Sequence, residues 1–245
     1  MIKSGFLFSL VFVVLLATHL RAAEGTPQAP VFDWNGPYVG LDAGYGWANS
    51  RATEDRIPPA YNALGESWSY HPSGFSGDGH LGYNLHSAIF LIGVEADIGY
   101  LGLNKSKASP ASVAFFAGDT KARTKTDFYA SARGRFGLTL LERALIYATG
   151  GWIGAHTRLS VIDACNTGPC GGGLVHAASN RFRSGYVGGV GLEYAVARNW
   201  TIKTEALYFS FGSDKVSGIT NVGSLQSWKI RTEGGITRAG VNYKF

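Results

Sequence analysis

Three features of this 245-residue chain predict an all-β fold, an eight-stranded antiparallel up-and-down barrel that crosses a membrane. The first is composition. Glycine supplies 34 residues and aromatics 13% of the chain, while charged residues are only 16%. Average proteins carry about 7% glycine and about 25% charged residues. So many aromatics exclude a disordered chain, and the glycines lack the strict triplet of collagen. A helix bundle is disfavoured because glycine costs about 1 kcal/mol per helical position relative to alanine. The second feature is alternation of large apolar with small or polar residues in eight segments, the period of a β-strand. The third is a strict succession of short and long connections between those segments. An all-β barrel of this length is commonly one domain.

The amino terminus reads as an export signal. Lys3 precedes a thirteen-residue apolar core, Gly5 to Ala17, and His19-Leu20-Arg21-Ala22-Ala23 follows. That core is shorter than the roughly 20 residues a spanning helix needs, and it ends in small residues. Cleavage is expected after Ala22, which makes 1–22 the signal peptide, 23–33 a periplasmic lead-in and 34–245 the barrel. Losing Lys3 and Arg21 lowers the formal charge from +5 to +3 (5 − 2 = 3). This modest balance, with no dense Lys/Arg stripe, argues against nucleic acid as a partner. No later segment is apolar for long enough to cross as a helix. The chain is therefore either a soluble exported protein or a barrel that hides its hydrophobicity by alternation.

The alternation favours the barrel. In 38–48, Val39, Leu41, Ala43, Tyr45 and Trp47 form a large face opposite Gly40, Asp42 and Gly44. In 75–86, Phe75, Leu81, Tyr83 and Leu85 oppose Ser76, Asp78 and His80. In 90–100, Phe90, Ile92, Val94, Ile98 and Tyr100 oppose Glu95 and Asp97. The fourth segment, 127–140, sets Phe128, Ala130, Phe136 and Leu138 against Asp127, Tyr129, Ser131, Arg133 and Arg135. The fifth, 144–157, has apolar residues on both parities, so its facing stays open. In 182–196, Tyr186, Val190, Leu192 and Tyr194 oppose Arg183 and Glu193. The seventh, 200–211, is also ambiguous; Lys203 and Glu205 are assigned inward because Trp200, Ile202, Ala206 and Tyr208 carry no charge. At the end, Ala239, Val241, Tyr243 and Phe245 oppose Arg238 and Lys244.

Short connections fall at 86–88, 141–143 and 197–199. Long ones fall at about 49–73, 104–126, 159–181 and 212–229. Outer-membrane barrels have this asymmetry, with short periplasmic turns and longer extracellular loops. Aromatics concentrate at both ends of the segments: Trp34, Tyr38, Tyr83, Tyr147, Tyr194, Trp200 and Tyr243 at the periplasmic end, and Trp47, Phe75, Tyr100, Phe128, Phe182 and Tyr186 at the outer end. Two interfacial girdles are expected of such a barrel.

The run Trp34-Asn35-Gly36-Pro37-Tyr38-Val39-Gly40 with Ala43 to Trp47 resembles the first strand of the small alphaproteobacterial outer-membrane immunogenic, porin-like barrels, an OmpA-like group. Tyr147-Ala148-Thr149-Gly150-Gly151 is similar to that family's fifth strand, and Gly188 to Glu193 with Asn199-Trp200 and Glu205 to its sixth and seventh. Val241-Asn242-Tyr243-Lys244-Phe245 resembles the closing strand, whose terminal aromatic, here Phe245, implies recognition by the outer-membrane assembly machinery. The resemblance implies an eight-stranded barrel in the bacterial outer membrane, in contact with its lipid and lipopolysaccharide. It implies no one agreed activity.

The inward face holds seven acids (Asp42, Asp78, Glu95, Asp97, Asp127, Glu193, Glu205) and six bases (Arg133, Arg135, Arg183, Lys203, Arg238, Lys244). An eight-stranded lumen is only wide enough for side chains to fill it, and buried charges must be paired. A cross-linked polar plug is therefore expected. Catalysis is not: Ser76, Asp78 and His80 share a face, but i and i+2 residues of a strand lie about 7 Å apart, so the three are expected as polar members of the lumen network. His71, His156 and His176 are isolated, which leaves a haem or metal role without a ligand set. Cys165 and Cys170, the only cysteines, are expected to form a disulfide in an exported protein, closing a small ring worth about 2 kcal/mol. No cofactor is expected. The reading is a structural barrel that supports envelope integrity and meets host or environmental surfaces through its loops. The alternatives are a narrow or gated porin for small solutes, haem or other ligand binding by the loops, and a soluble exported lipocalin-like binder.

Overall fold

A computed structural model describes residues 32–55, 67–110, 120–140, 143–165, 173–221, 223 and 225–245. The expected signal peptide, 1–22, and all of the lead-in before Phe32 lie outside the described residues. Ten strands follow in order: β1 (Gly36–Glu54), β2 (Ser67–Tyr70), β3 (Ser73–Ser87), β4 (Phe90–Leu101), β5 (Asn104–Ala108), β6 (Thr120–Leu140), β7 (Ala144–Cys165), β8 (Gly173–Ala195), β9 (Trp200–Ile219) and β10 (Leu225–Lys244). Eight of them form a closed antiparallel ring in the order β1, β3, β4, β6, β7, β8, β9, β10, with β10 returning to β1. Ring closure leaves no strand edge to face lipid, which is what a membrane demands of a sheet. The eight expected segments are the eight ring strands, and β2 and β5 are short additions at the outer end.

Within the membrane the alternation is as the sequence indicates. Leu41, Leu81, Val94, Phe136 and Val190 lie on the exposed outer surface, while Asp42, Glu95, Arg133 and Glu193 are buried in the lumen. The two ambiguous strands resolve in the same way. In β7, Leu145, Tyr147 and Ile153 point inward and Ile146 and Trp152 outward; in β9, Lys203 and Glu205 are buried and Ile202 and Tyr208 exposed. Tyr83, Tyr194, Trp200 and Tyr243 stand on the outer surface of the periplasmic girdle. Trp34, Tyr38 and Tyr147 do not. Although they lie at that end, they are turned into the lumen and buried. Aromatic type alone does not distinguish a lipid-facing anchor from an inward plug.

The strands are far longer than a membrane requires. β7 has 22 residues and β8 has 23, where a crossing strand needs about 9–11. Much of 49–73, 104–126, 159–181 and 212–229, expected as loop, is therefore paired strand. Above the membrane the ring opens at two seams. The β8–β9 ladder ends at Tyr186 and Ser210, and β3 meets β5 only at Ser73 and Asn104. Two four-stranded sheets emerge, β2-β1-β10-β9 and β5-β6-β7-β8. They face each other across an apolar core in which Trp68, Tyr70, Trp228 and Ile230 of one sheet meet Leu159, Val161, Val175 and Ala177 of the other. Tyr70 and Thr124 join the sheets by a hydroxyl–hydroxyl hydrogen bond of 2.8 Å. This is the packing of a β-sandwich.

Two bulges mark the transition. The β6–β7 register steps from Thr126 to Tyr129 against Thr157 to Ala155, an extra residue that exchanges the inward and outward parities. The β9–β10 register slips likewise between Ser210 and Ser213, where Gly212 adopts a left-handed φ of +66°. Such bulges bend a strand and re-aim its side chains. Below the β6 bulge the inward residues are polar. Above it, Ala122 and Thr124 point inward while Lys121 and Arg123 point out. A soluble extension must put its charge on the outside, so the polarity of the alternation reverses.

The charged layer of the lumen

Four layers fill the interior in sequence along the strands. Phe32, Trp34, Leu91, Leu145, Tyr147 and Ala195 close the periplasmic end. The charged layer follows, then an apolar layer around Leu101, Tyr129, Ile153, Val187 and Phe209, then the sandwich core. Along β9 the order is read directly as Lys203 and Glu205, then Leu207, Phe209 and Phe211, then Val216.

Every ring strand contributes to the charged layer. Arg238 on β10 is its centre: its guanidinium lies 2.9 Å from Asp78 Oδ2 on β3, 2.9 Å from Asp97 Oδ1 on β4, 2.5 Å from Glu205 Oε2 on β9 and 3.2 Å from Asp42 Oδ2 on β1. Arg133 on β6 pairs with Glu95, Asp97 and Glu205. Arg135 pairs with Glu193 on β8 at 2.7 Å and Glu95 at 3.3 Å. Lys203 Nζ reaches Asp42 at 3.0 Å and Glu95 at 3.4 Å. Tyrosine hydroxyls complete the coordination: Tyr38 donates to Glu95 at 2.8 Å, Tyr129 to Asp78 at 2.7 Å and Tyr147 to Glu205 at 2.7 Å. Arg135 also stacks over the Tyr147 ring, 4.0 Å from its centroid. Bidentate and forked contacts of this kind suit guanidinium rather than ammonium.

Glycines make the aromatic members possible. Gly82 lies opposite Tyr38 and Gly191 opposite Tyr147. In each case the ring occupies the place a Cβ would take, an aromatic folded over a cross-strand glycine.

Ten of the thirteen expected lumen charges meet here: Asp42, Asp78, Glu95, Asp97, Arg133, Arg135, Glu193, Lys203, Glu205 and Arg238. Three lie elsewhere. Asp127 sits in the β6 bulge against Lys125 at 3.8 Å and Arg158 at 3.6 Å, displaced from the lumen by the parity change. Arg183 lies above the layer, 3.9 Å from Asp214, and donates to the Phe211 and Gly212 carbonyls across the β8–β9 seam. Lys244 stands at the periplasmic mouth, 3.9 Å from Asp33, whose carboxyl is held below the usual range by the Asn35 backbone amide. The terminal Phe245 is exposed and packs edge-on against Tyr243. His80, expected as a polar lumen residue, joins the network; Asn242, Tyr38 and Tyr129 join it without having been expected there, although their parity pointed inward and polar character on an inward position was the available signal.

His80 Nε2 lies 2.7 Å from Asn242 Oδ1, and the Asn242 amide donates to Glu193. The histidine therefore donates from Nε2 and turns Nδ1 toward Asp42 at 3.3 Å and Asp78 at 3.8 Å. Ser76 Oγ, the remaining member of a would-be triad, is buried with no hydrogen-bond partner, so no nucleophile–base pair forms. Asp42, Asp78, His80 and Asp97 are the group of ligand atoms, among the described residues, close enough to share an ion, lying within 4.8 Å of one another. Arg238 already contacts all three of those carboxylates, and a second cation beside its guanidinium would be repelled. Cys165 is the last residue of β7; Cys170, and so the expected disulfide, lies outside the described residues.

A closed ring with an apolar belt, aromatic girdles and a charge-filled interior defines an outer-membrane β-barrel protein. The chain belongs to the outer membrane protein β-barrel domain family, whose model matches residues 9–245. It is 31% identical over 243 residues to the 31 kDa outer-membrane immunogenic protein of Brucella melitensis, covering 94% of this chain and 95% of that one. It is 27% identical over 219 residues to the 25 kDa outer-membrane immunogenic protein of Brucella abortus, covering 89% and 82%. Among solved structures it is similar to Neisserial surface protein A, at 20% identity and a TM-score of 0.41 over 86% of this chain and 97% of that one. The protein resides in the outer membrane.

Proposed function

We propose that this barrel is a structural, non-enzymatic component of the outer membrane, exported by a cleaved signal and contributing to envelope integrity and surface contact. The observation that carries the reading is the filled interior: three successive layers of packed side chains occupy the lumen, and a fourth lies between the sheets above it. Removing water from a lumen this narrow and cross-linking its charges favours a rigid rod over a conduit. A narrow porin would need a continuous polar path, and the apolar layers above and below Arg238 disfavour one. The outward part of the molecule is a sandwich with charged outer faces, suited to contact with host or environmental surfaces. Phe245, exposed at the end of β10, is available as the signal for the assembly machinery.

The test is a deletion strain complemented with the wild-type gene. The expected outcome is sensitivity to bile salts and large hydrophobic antibiotics, with unchanged uptake of small solutes. Lost solute uptake with an intact permeability barrier would favour the porin reading instead.

A further inference from the structure

β8 and β9 separate at the outer girdle. Their ladder ends at Tyr186 and Ser210, beside the exposed rings of Tyr186 and Tyr208, whose centroids lie 6.3 Å apart. The strands are tied again at the distal tip, where the Leu174 amide donates to Asn221 Oδ1 at 3.0 Å and the Asn221 amide to the Leu174 carbonyl at 3.2 Å. Between these points no ladder joins them among the described residues. Side chains bridge the seam instead, at long range. Asp214 on β9 faces two guanidiniums of β8, Arg181 at 3.6 Å and Arg183 at 3.9 Å. Arg183 Nη2 also donates to the Phe211 and Gly212 carbonyls at 3.5 and 3.4 Å. In the charged layer, by contrast, Arg135 and Arg238 meet carboxylates at 2.7 and 2.5 Å. Arg183 is nonetheless buried, its side chain 5% exposed, and its Nη1 has no hydrogen-bond partner among the described residues. A buried charge short of partners is costly, and here two cations share one carboxylate. The seam lacks one negative charge. Its walls are apolar, with Val187, Phe209 and Phe211 below and Ala177 and Val216 above.

We infer that the β8–β9 seam is a binding site for a monoanionic amphiphile, a carboxylate carrying an apolar chain, with its headgroup on Arg183. The Nη1–Nη2 end of the guanidinium matches the two oxygens of a carboxylate. A phosphate monoester brings up to two charges against a deficit of one. Parting the seam breaks no ladder hydrogen bond, only the long contacts of Arg181 and Arg183. Arg181, 60% exposed, meets the anion at the mouth. The aromatic girdle sets that mouth at the membrane–water interface, where an amphiphile in the outer leaflet presents its headgroup. The charged layer lies below the seam and stays closed, so the inference does not rest on the structural role proposed above.

The experiment uses the folded full-length protein in phosphatidylcholine nanodiscs, titrated with dodecanoate, dodecanol, dodecyl phosphate and acetate, and read by native mass spectrometry. Dodecanoate should be retained over the other three. Arg183→Gln should weaken its retention at least about tenfold, and Arg183→Lys, which keeps the charge without the fork, should recover part of the loss. Asp214→Asn should strengthen retention about threefold, a gain that misfolding would not mimic; heat-modifiable migration on gels confirms that each variant is folded. Equal retention of dodecanoate by wild type and Arg183→Gln, the result expected if water alone serves Nη1, overturns the inference. So does retention of dodecanol, dodecyl phosphate or acetate equal to that of dodecanoate.

Discussion

The membrane-embedded ring and the sandwich above it are made of the same strands and solve opposite problems. Inside the membrane the outer face meets hydrocarbon, so the polar residues go inward and must satisfy one another around Arg238. Above it the outer face meets water, so Lys121 and Arg123 go outward and Trp68 and Trp228 fill the interior. One region is held by ion pairs in a lumen that side chains fill, the other by apolar burial between two sheets. A strand's alternation therefore reports which solvent it stands in as well as its conformation, and a bulge is where the report changes sign.

The largest expected effect comes from breaking the first region. Arg238→Ala leaves Asp42, Asp78, Asp97 and Glu205 short of their shared cation, a loss of about 3–5 kcal/mol. The urea midpoint of the heat-modifiable form in lipid vesicles should fall accordingly; an unchanged midpoint would show that the layer does not hold the ring. In the second region, Trp228→Ala opens a cavity between the sheets at a cost of about 3 kcal/mol. Its effect should be local: limited proteolysis should cut β9 and β10 near their outer ends while the membrane part stays protected. Global unfolding of this variant would deny the two regions their independence.

A smaller effect is expected at Gly82. Gly82→Val sets a branched side chain where the Tyr38 ring lies, an overpacking worth about 1–3 kcal/mol. The double variant Gly82→Val/Tyr38→Ala should recover part of the loss, and failure to do so would mean that the clash lies elsewhere. The smallest effect is at the periplasmic mouth, where Asp33→Asn should change stability by less than about 0.5 kcal/mol. Because the folded carboxyl of Asp33 titrates below its unfolded value, its contribution is present above the ordinary carboxylate range and fades as pH falls through the folded value. Wild type and variant should therefore converge at strongly acid pH in vesicle unfolding curves.

Where solvent and conformation agree, the strands are legible from sequence: the lipid-facing runs of β1 and β4 show apolar residues at every outward position, and β3 does so except at Gly77 and Gly79. Legibility fails where two causes produce one pattern. Trp34 and Tyr147 have the residue type and position of girdle anchors, and only three-dimensional packing against Phe32, Leu91 and Leu145 turns them inward. Asp127 continues the inward parity of Arg133 and Arg135, but the extra residue in β6 removes it from the lumen. The extensions of β7 and β8 read as loop because their polarity is inverted and Gly-poor segments above the girdle lack the lipid-facing signature. Of the charged layer, the ionised members were visible from parity alone. His80, Asn242, Tyr38 and Tyr129 share that inward parity, but which partner each one meets is set by cross-strand register, which a single sequence does not display.

The central claim is that packed side chains close the lumen. Planar-bilayer recording of the purified, folded protein addresses it most directly. A silent bilayer, or rare brief openings of small conductance, is the predicted result. Large, steady openings from the wild-type protein would contradict it.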